Sequence, residues 1–486
     1  MFNKLKQLGK ESLIYGLSRV VGRLVGAFLV PVYTRIFVPS DYGVVDMVTT
    51  FASITAIFIV LGLDTATIIY FYGTDDIKDK KYILSTSFFS QLIMSFIVLI
   101  PPLFFSSNVS GLVLDDRNYS VYFRLVALDF PFILCIGFVQ DALRLIRKPW
   151  QYLAVTIGGI LSNIILTILL VVVFKKGLYG VFLSKLIVDI IFAIISIYLV
   201  RSWIVVHISL YRLKQLLACG IPLIPASISY WVLDVSNRYF LRYYISLSEV
   251  GIYSIGSKMA SLLMLFTGAF QLAWGPFSLS IQHEEDSKKV YANVLTYYLV
   301  IMCGIGAGLS IFSLEILKIF TTKLYYGASI IVPYLVFSVM SSGVYYIISI
   351  GVNITKKTSH IGWTTMVSAG ASITLNFILI PRYGIVGASI ASCISTWLSP
   401  ILLYFVSQHY YPINYKFGKV AIILSSSIIL IIIANFIKIP NLLLAITLKF
   451  IFIIAYFLIL MVTSIIQPSM LLRILKGFSK QKGLPG

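Results

Sequence analysis

The stretch GLSRVVGRLVGAFLVPVYTR, Gly16 to Arg35, is apolar and, with its flanks, long enough to cross a bilayer, yet it carries Arg19 and Arg23 inside the run. On a helix of 3.6 residues per turn, Ser12, Tyr15, Gly16, Arg19, Arg23 and Gly26 share one face. Leu13, Leu17, Val20, Val21, Leu24 and Phe28 share the other. A charge at the bilayer centre costs at least roughly 2.5 to 3.5 kcal/mol, so the polar stripe must face a bundle interior or a wet cavity. The rest of the chain is expected to build that cavity.

Working outward, 59% of the 486 residues are hydrophobic, only 12% are charged, and mean hydropathy is +0.95, which excludes a soluble globular protein. The formal net charge of +20 would suggest nucleic acid on a soluble chain. Here the basic residues sit mostly in short loops between apolar runs, as in a multispanning membrane protein, and no nucleic-acid partner is expected. Cys135, Cys219, Cys303 and Cys393 lie singly in apolar segments and match no metal or redox spacing. His207, His283, His360 and His409 are also single, so neither a metal site nor a Ser, His and Asp set is expected. The N-terminus has a short apolar region without a cleavage site, so the first span is expected to be retained.

Fourteen apolar runs of spanning length follow one another, at 12–36, 43–71, 82–105, 119–143, 151–174, 178–200, 216–244, 251–279, 291–315, 328–352, 359–380, 384–407, 417–437 and 442–466. An even number puts both termini on one side. The terminal and even-numbered loops hold 22 Lys and Arg residues and the other loops 9, so the positive-inside rule makes both termini cytoplasmic.

The chain also repeats itself. Ser40-Asp41-Tyr42-Gly43 matches Ser248-Glu249-Val250-Gly251, Gly177-Leu178-Tyr179-Gly180 matches Gly384-Ile385-Val386-Gly387, and Arg147-Lys148 matches Lys356-Lys357, at offsets of 207 to 209. Spans 1 to 6 and 7 to 12 therefore read as two parallel copies of a six-helix unit, with spans 13 and 14 added. The lobes are 1–205 and 206–410, and 411–486 holds the last two spans and a tail. Such repeats around an axis normal to the membrane, with the substrate at their interface, are a transporter architecture. The expected fold is an all-α membrane protein of about 14 transmembrane helices around a central cavity.

The intramembrane charges divide by their neighbours. Arg19 and Arg23, with Tyr15 on their face and no acid on their helix, favour an anion site over neutralisation by an acid such as Asp64. Arg238 lies one turn from Asp234, with Ser227, Trp231 and Arg242 on its face, and reads equally as an i,i+4 ion pair or a cavity site. Lys258, flanked by Ser254 and Ser261, joins the substrate-binding candidates. Lys185 and Asp189 read as a structural pair. Asp129 is a candidate for taking up H⁺ or Na⁺, or for pairing with Arg124 or a neighbouring helix. Arg124 and Lys449 are expected to snorkel to the interface. Pro222 and Pro225 mark a hinge in span 7.

Four segments carry a family resemblance: Tyr33 to Val45 (YTRIFVPSDYGVV), Gly62 to Gly73 (GLDTATIIYFYG), Trp274 to Ser280 (WGPFSLS) and Asn376 to Ser392 (NFILIPRYGIVGASIAS). They resemble recurrent segments of bacterial polysaccharide flippases of the O-antigen, capsule or teichoic acid type, in the multidrug, oligosaccharidyl-lipid and polysaccharide exporter superfamily. The resemblance implies two lobes in the plasma membrane and alternating access that carries an undecaprenyl-diphosphate-linked oligosaccharide to the outer leaflet. Its partners would be that polyprenyl-diphosphate lipid, the bilayer and a polysaccharide polymerase or other export-pathway protein. No cofactor beyond H⁺ or Na⁺ coupling is implied, nor an ATPase, and the chain has no GxxxxGK[ST] loop. A drug/cation antiporter would call for acids in a cavity whose charge is mainly positive. A lipid II flippase differs in cargo more than in physics. A membrane glycosyl polymerase or ligase would need a larger outer loop than Ser106 to Asn118.

Overall fold

The computed structural model of the chain describes Gly16, residues 29–437 and residues 442–465. Among these, the regular elements are all helical. The N-terminal lobe contains α1 (Leu29–Ile36), α2 (Pro39–Val60), α3 (Leu63–Tyr72), α4 (Ile77–Phe104), α5 (Ser106–Leu114), α6 (Ser120–Leu145), α7 (Pro149–Ile168) and α8 (Gly177–Val200). The C-terminal lobe contains α9 (Leu210–Gly220), α10 (Ile224–Val235), α11 (Asn237–Tyr244), α12 (Leu247–Ser261), α13 (Met264–Ser280), α14 (Ser287–Ile311), α15 (Ser313–Phe320), α16 (Val332–Ile348), α17 (Ile350–Ile354) and α18 (Ser359–Tyr410). Helices α19 (Phe417–Phe436) and α20 (Leu442–Val462) pack on α14.

Eleven of these segments are long and apolar enough to cross a membrane, and α12 with α13, bent by 41°, makes a twelfth. Helix α18 has 52 residues, about 78 Å at 1.5 Å per residue, far more than one crossing needs. Its backbone breaks at Gly384 (φ 55°, ψ −132°), and its two limbs fall on the expected spans 11 and 12. Expected spans 2 to 14 thus each have a counterpart. The first span lies mostly outside the described residues, and with it Tyr15, Arg19 and Arg23.

Several expected spans are not single helices, and two of the breaks fall at residues that explain them. The run 43–71 is broken at Leu61 and Gly62, both left-handed (φ 51° and 70°), where α3 leaves the axis of α2. Gly62 also meets Gly220, so closely that a Cβ on Gly62 would lie 2.4 Å from the Gly220 carbonyl oxygen. The run 216–244 is broken by a 3₁₀ turn at Ile221–Leu223, at the Pro222 and Pro225 pair. Before that break, α9 packs on the N-terminal lobe. Leu216 is buried with Leu63, Ala66 and Ile83, and Arg212 forks onto Asp79 (2.9 and 2.5 Å).

The repeat is visible in space. A Cβ on Gly43 would lie 2.0 Å from the Leu247 carbonyl oxygen, and one on Gly251 would lie 1.9 Å from that of Pro39. These four residues form two pairs related by the same offset of 208, so α2 and α12 cross reciprocally through their first turns. Both helices therefore begin at the same end of the bundle, as parallel repeats require. Small residues at the crossing let the backbones touch, which is how helices associate where lipid removes the hydrophobic drive. Within the N-terminal lobe, hydroxyl pairs such as Thr67 with Ser87 and Thr167 with Ser184, both at 2.7 Å, hold neighbouring helices.

Lys449 corrects an expectation. Instead of snorkelling, it is 4% exposed, and its ammonium donates to both oxygens of Glu315 (2.8 and 2.9 Å) and to the Ile311 carbonyl (2.8 Å). This pair ties α20 to α15 across the C-terminal lobe. Removing one member strands a buried charge, at about 3–5 kcal/mol. Lys449→Met alone is expected to lower the unfolding temperature of the purified protein markedly, and Lys449→Met with Glu315→Leu to restore most of it. Equal stability of the single and double variants would rule out this role.

Candidate functional site

Besides the Arg212–Asp79 contact of α9, the hydrogen bonds that join the two lobes cluster from the Pro39 end of α2 down to Ser53, about 21 Å along that helix. At the end itself, Tyr325 donates to the Phe37 carbonyl (2.9 Å), Thr322 to the Thr34 carbonyl (3.3 Å), and Arg242 to the Leu114 carbonyl (3.1 and 2.5 Å). Thr34 and Arg242 are 208 apart, as are Leu114 and Thr322, so the closure is itself two-fold. The buried rings of Tyr33, Tyr42 and Tyr325 fill it edge to face. This end is sealed.

Charged groups lie beneath the seal. Arg238, on α11 and 8% exposed, donates through Nε to Asp46 Oδ2 on α2 (2.6 Å) and through Nη1 to the Asp234 carbonyl (2.9 Å). The i,i+4 side-chain pair with Asp234 is therefore not formed: the guanidinium spends its charge across the lobe boundary, on an acid 192 positions away. Asp234 is exposed. Lys258, on α12, is also exposed, and its ammonium reaches across to the Tyr42 hydroxyl (2.5 Å). Among the described residues no carboxylate lies within salt-bridge distance of it. A neutral hydroxyl takes one of three ammonium donors, leaving the others and the full charge available to an anion.

Below these groups, between α10, α12, α16 and α18, lies a cavity of about 460 Å³. Its walls carry Tyr230, Trp231, Tyr345 and Tyr346 among serines and threonines, and Asp234 is its one charged lining residue. Trp231 Nε1 donates to Ser53 Oγ (2.9 Å), so the rim touches the N-terminal lobe. A second cavity, about 920 Å³, lies between α15, α16, α18 and α19, and its walls are largely aliphatic and aromatic.

In the N-terminal lobe Lys185 contacts Asp189, as its spacing suggested, and also Asp129 of α6 (2.5 Å). Asp129 is 4% exposed, and its Oδ1 has no hydrogen-bond partner among the described residues. Two carboxylates thus share one ammonium. Arg124 is not that partner: its Nε donates to Ser106 Oγ (2.7 Å). Among the described residues no group of three or more His, Cys, Asp or Glu could hold a metal ion.

Sequence reasoning missed Asp46, Tyr42 and the aromatic cavity. Asp46 was detectable as an acid inside an apolar run; its partner was not. Comparison with known proteins bears on the same architecture. No curated protein matches the chain. Among solved structures, a lipid II flippase, MurJ, in an inward closed conformation superposes with a TM-score of 0.75 at 16% identity, over 93% of this chain and 100% of that one. An inward-facing multidrug resistance MATE transporter of the MOP superfamily superposes with a TM-score of 0.60 at 14% identity (80% and 97%). The Vibrio cholerae MATE transporter VcmN superposes with 0.57 at 15% identity (83% and 96%). At these identities the likeness is one of fold. The family described as polysaccharide biosynthesis protein matches residues 32–330, more than half of the sequence, and to that family this multi-pass membrane protein belongs.

Proposed function

We propose that the protein is a flippase that moves an undecaprenyl-diphosphate-linked oligosaccharide from the cytoplasmic to the outer leaflet of a bacterial plasma membrane by alternating access. The observation that carries this reading is Lys258, an exposed ammonium at the lobe boundary that is met by a tyrosine instead of an acid. A cation inside the membrane-spanning bundle without a counter-charge must face a wet cavity, and its free donors and full charge then favour an anion there. A diphosphate supplies that anion, the hydroxyl-lined cavity suits the sugars, and the polyprenyl tail stays in lipid. On the sequence alone, Arg19, Arg23 and Tyr15 of the first span, which lie outside the described residues, are assigned to the same anion site. The family match and the likeness to a lipid II flippase support the class of cargo. A drug/cation antiporter would use Asp234, the one charged residue of the cavity wall, but would leave the ammonium of Lys258 without a role, and a glycosyl polymerase or ligase would need a larger exposed loop.

The termini are placed in the cytoplasm on the basic-residue asymmetry, which puts the sealed end outside. In intact cells an impermeant thiol reagent should label a cysteine at Ser107 and spare one at Thr74; the reverse pattern would invert the molecule. Asp129 is the group assigned to the coupling ion, H⁺ or Na⁺, and Asp129→Asn should make transport insensitive to the ion gradient. Undiminished gradient dependence would remove it from that role. The reading as a whole is tested by depleting the protein in its host: lipid-linked oligosaccharide should accumulate on the cytoplasmic face. Continued appearance of that lipid on the outer face at the normal rate would refute it.

A further inference from the structure

We propose that the 460 Å³ cavity of the C-terminal lobe is a sugar subsite selective for uncharged pyranose rings, which admits neutral headgroup sugars and disfavours those bearing a carboxylate. The proposal rests on the flippase reading and adds the class of glycan. Its volume falls in the range of about 300–1,000 Å³ typical of small-molecule pockets, so it holds a short glycan and not merely an ion.

The walls combine the two surfaces that a pyranose presents. Tyr230, Trp231 and Tyr345 supply aromatic surface for the C–H side of a sugar, and the two tyrosines supply polar tips for its hydroxyls, the Trp231 N–H being held by Ser53. Tyr230 is half exposed, and its hydroxyl lies 3.4 Å from that of Tyr345, so the polar tips of the two side chains meet at the cavity wall. Between the aromatics the helices present hydroxyl groups at helical spacing, such as Ser257 and Ser261 on α12.

The direction of those hydroxyls sets the selectivity. Ser261 donates to the Lys258 carbonyl (2.6 Å), Ser341 to that of Ser338 (2.7 Å) and Thr396 to that of Ser392 (2.8 Å). Ser261 and Ser341 thus spend their single protons on their own helices and keep lone pairs for the cavity, while Thr396 is also engaged with Ser338 (3.0 Å). The one charged lining group, Asp234, is an acceptor too when ionised. These acceptors, with Asp234, are matched by the donor protons of sugar hydroxyl and acetamido groups. In a uronate a carboxylate, acceptor-only and of like charge to Asp234, replaces the donor hydroxymethyl group, and the acceptors that face it are left unpaired. The uncompensated cation stands at the rim, on Lys258, where it can hold a diphosphate without drawing an acidic sugar inward, while Arg238 is spent on Asp46.

The test uses the full-length protein in phosphatidylcholine nanodiscs and three probes: undecaprenyl diphosphate, the same lipid bearing a neutral N-acetylglucosamine–galactose disaccharide, and one in which glucuronate replaces galactose. The neutral glycolipid should bind about tenfold more tightly than the bare lipid, the scale of one or two aromatic and hydrogen-bond contacts. The glucuronate should cancel that gain. Tyr230→Ala should bring the neutral glycolipid toward the affinity of the bare lipid, and Asp234→Asn should narrow the ratio between neutral and glucuronate probes. Equal binding of neutral and glucuronate lipids, or no gain from the disaccharide in a protein that binds the bare lipid, overturns the subsite alone. Failure to bind bare undecaprenyl diphosphate overturns the flippase reading, and the subsite with it.

Discussion

Gly43→Val and Gly251→Val should each abolish export while leaving the protein inserted. A Cβ at either position would sit 2.0 or 1.9 Å from a backbone carbonyl oxygen of the opposite lobe. Backbone cannot swing aside as a side-chain tip can, so the first turns of α2 and α12 must separate. The contact is reciprocal, and the bonds from Tyr325 to Phe37 and from Arg242 to Leu114 lie at the same end, so this displacement opens the seal as a unit. A transporter that cannot close one end cannot alternate. The structural readout is a cysteine at Ser257, which lines the cavity behind the seal. An impermeant thiol reagent added outside should label it in the Gly43→Val background and spare it with Gly43 intact. Export at the normal rate by an abundant Gly43→Val protein would show that the crossing is not a gate.

The second large effect is expected at Lys258. Hydrogen bonds to charged groups contribute about 1.5–3 kcal/mol, so Lys258→Ala should weaken diphosphate-lipid binding roughly 10- to 150-fold. Its folded-state role is small: an exposed side chain donates one hydrogen bond to Tyr42. Abundance and unfolding temperature should therefore change little. Lys258→Arg keeps the charge and adds a planar fork that engages two phosphate oxygens, and should retain much of the binding. Arg238 makes the contrast. Its guanidinium is largely buried and ion-paired with Asp46, so Arg238→Ala should cost stability first, in the range of about 3–5 kcal/mol for a broken buried pair. Neutralising Asp46 as well should recover much of it. Abundance and lipid affinity measured on the same four proteins separate ligand from lock. A Lys258→Ala protein that binds the lipid normally would contradict the assignment.

These expectations show where the sequence was informative. Apolar runs of spanning length located the crossings because a bilayer fixes their length, and the offset of about 208 residues exposed the repeat. Gly43 and Gly251 were legible as matching anchors, yet not as the point where the lobes touch, because a repeat does not say which copies meet. Helical period put Lys258 on a polar face and joined Lys185 to Asp189. It could not find Asp46 for Arg238 or Glu315 for Lys449, since those partners lie 192 and 134 residues away and are set by the packing of whole helices. The break at Leu61 and Gly62 was hidden for a different reason. The hydrophobic run continues through it, and only the left-handed backbone and the close approach of Gly220 show that the helix turns there. The aromatic cavity was hidden most deeply, because its walls come from four helices whose tyrosines and serines look unremarkable one by one.

The central claim is that this chain, with Lys258 as an anion ligand, carries a diphosphate-linked glycan across a bilayer. The direct measurement is translocation in proteoliposomes: purified protein, a fluorescent undecaprenyl-diphosphate disaccharide on one leaflet, and an enzyme on the other side that acts only on the flipped lipid. The account expects flipping well above the protein-free rate, lost in Lys258→Ala and largely kept in Lys258→Arg. Flipping no faster than in empty vesicles, or equally fast with Lys258→Ala, would contradict it.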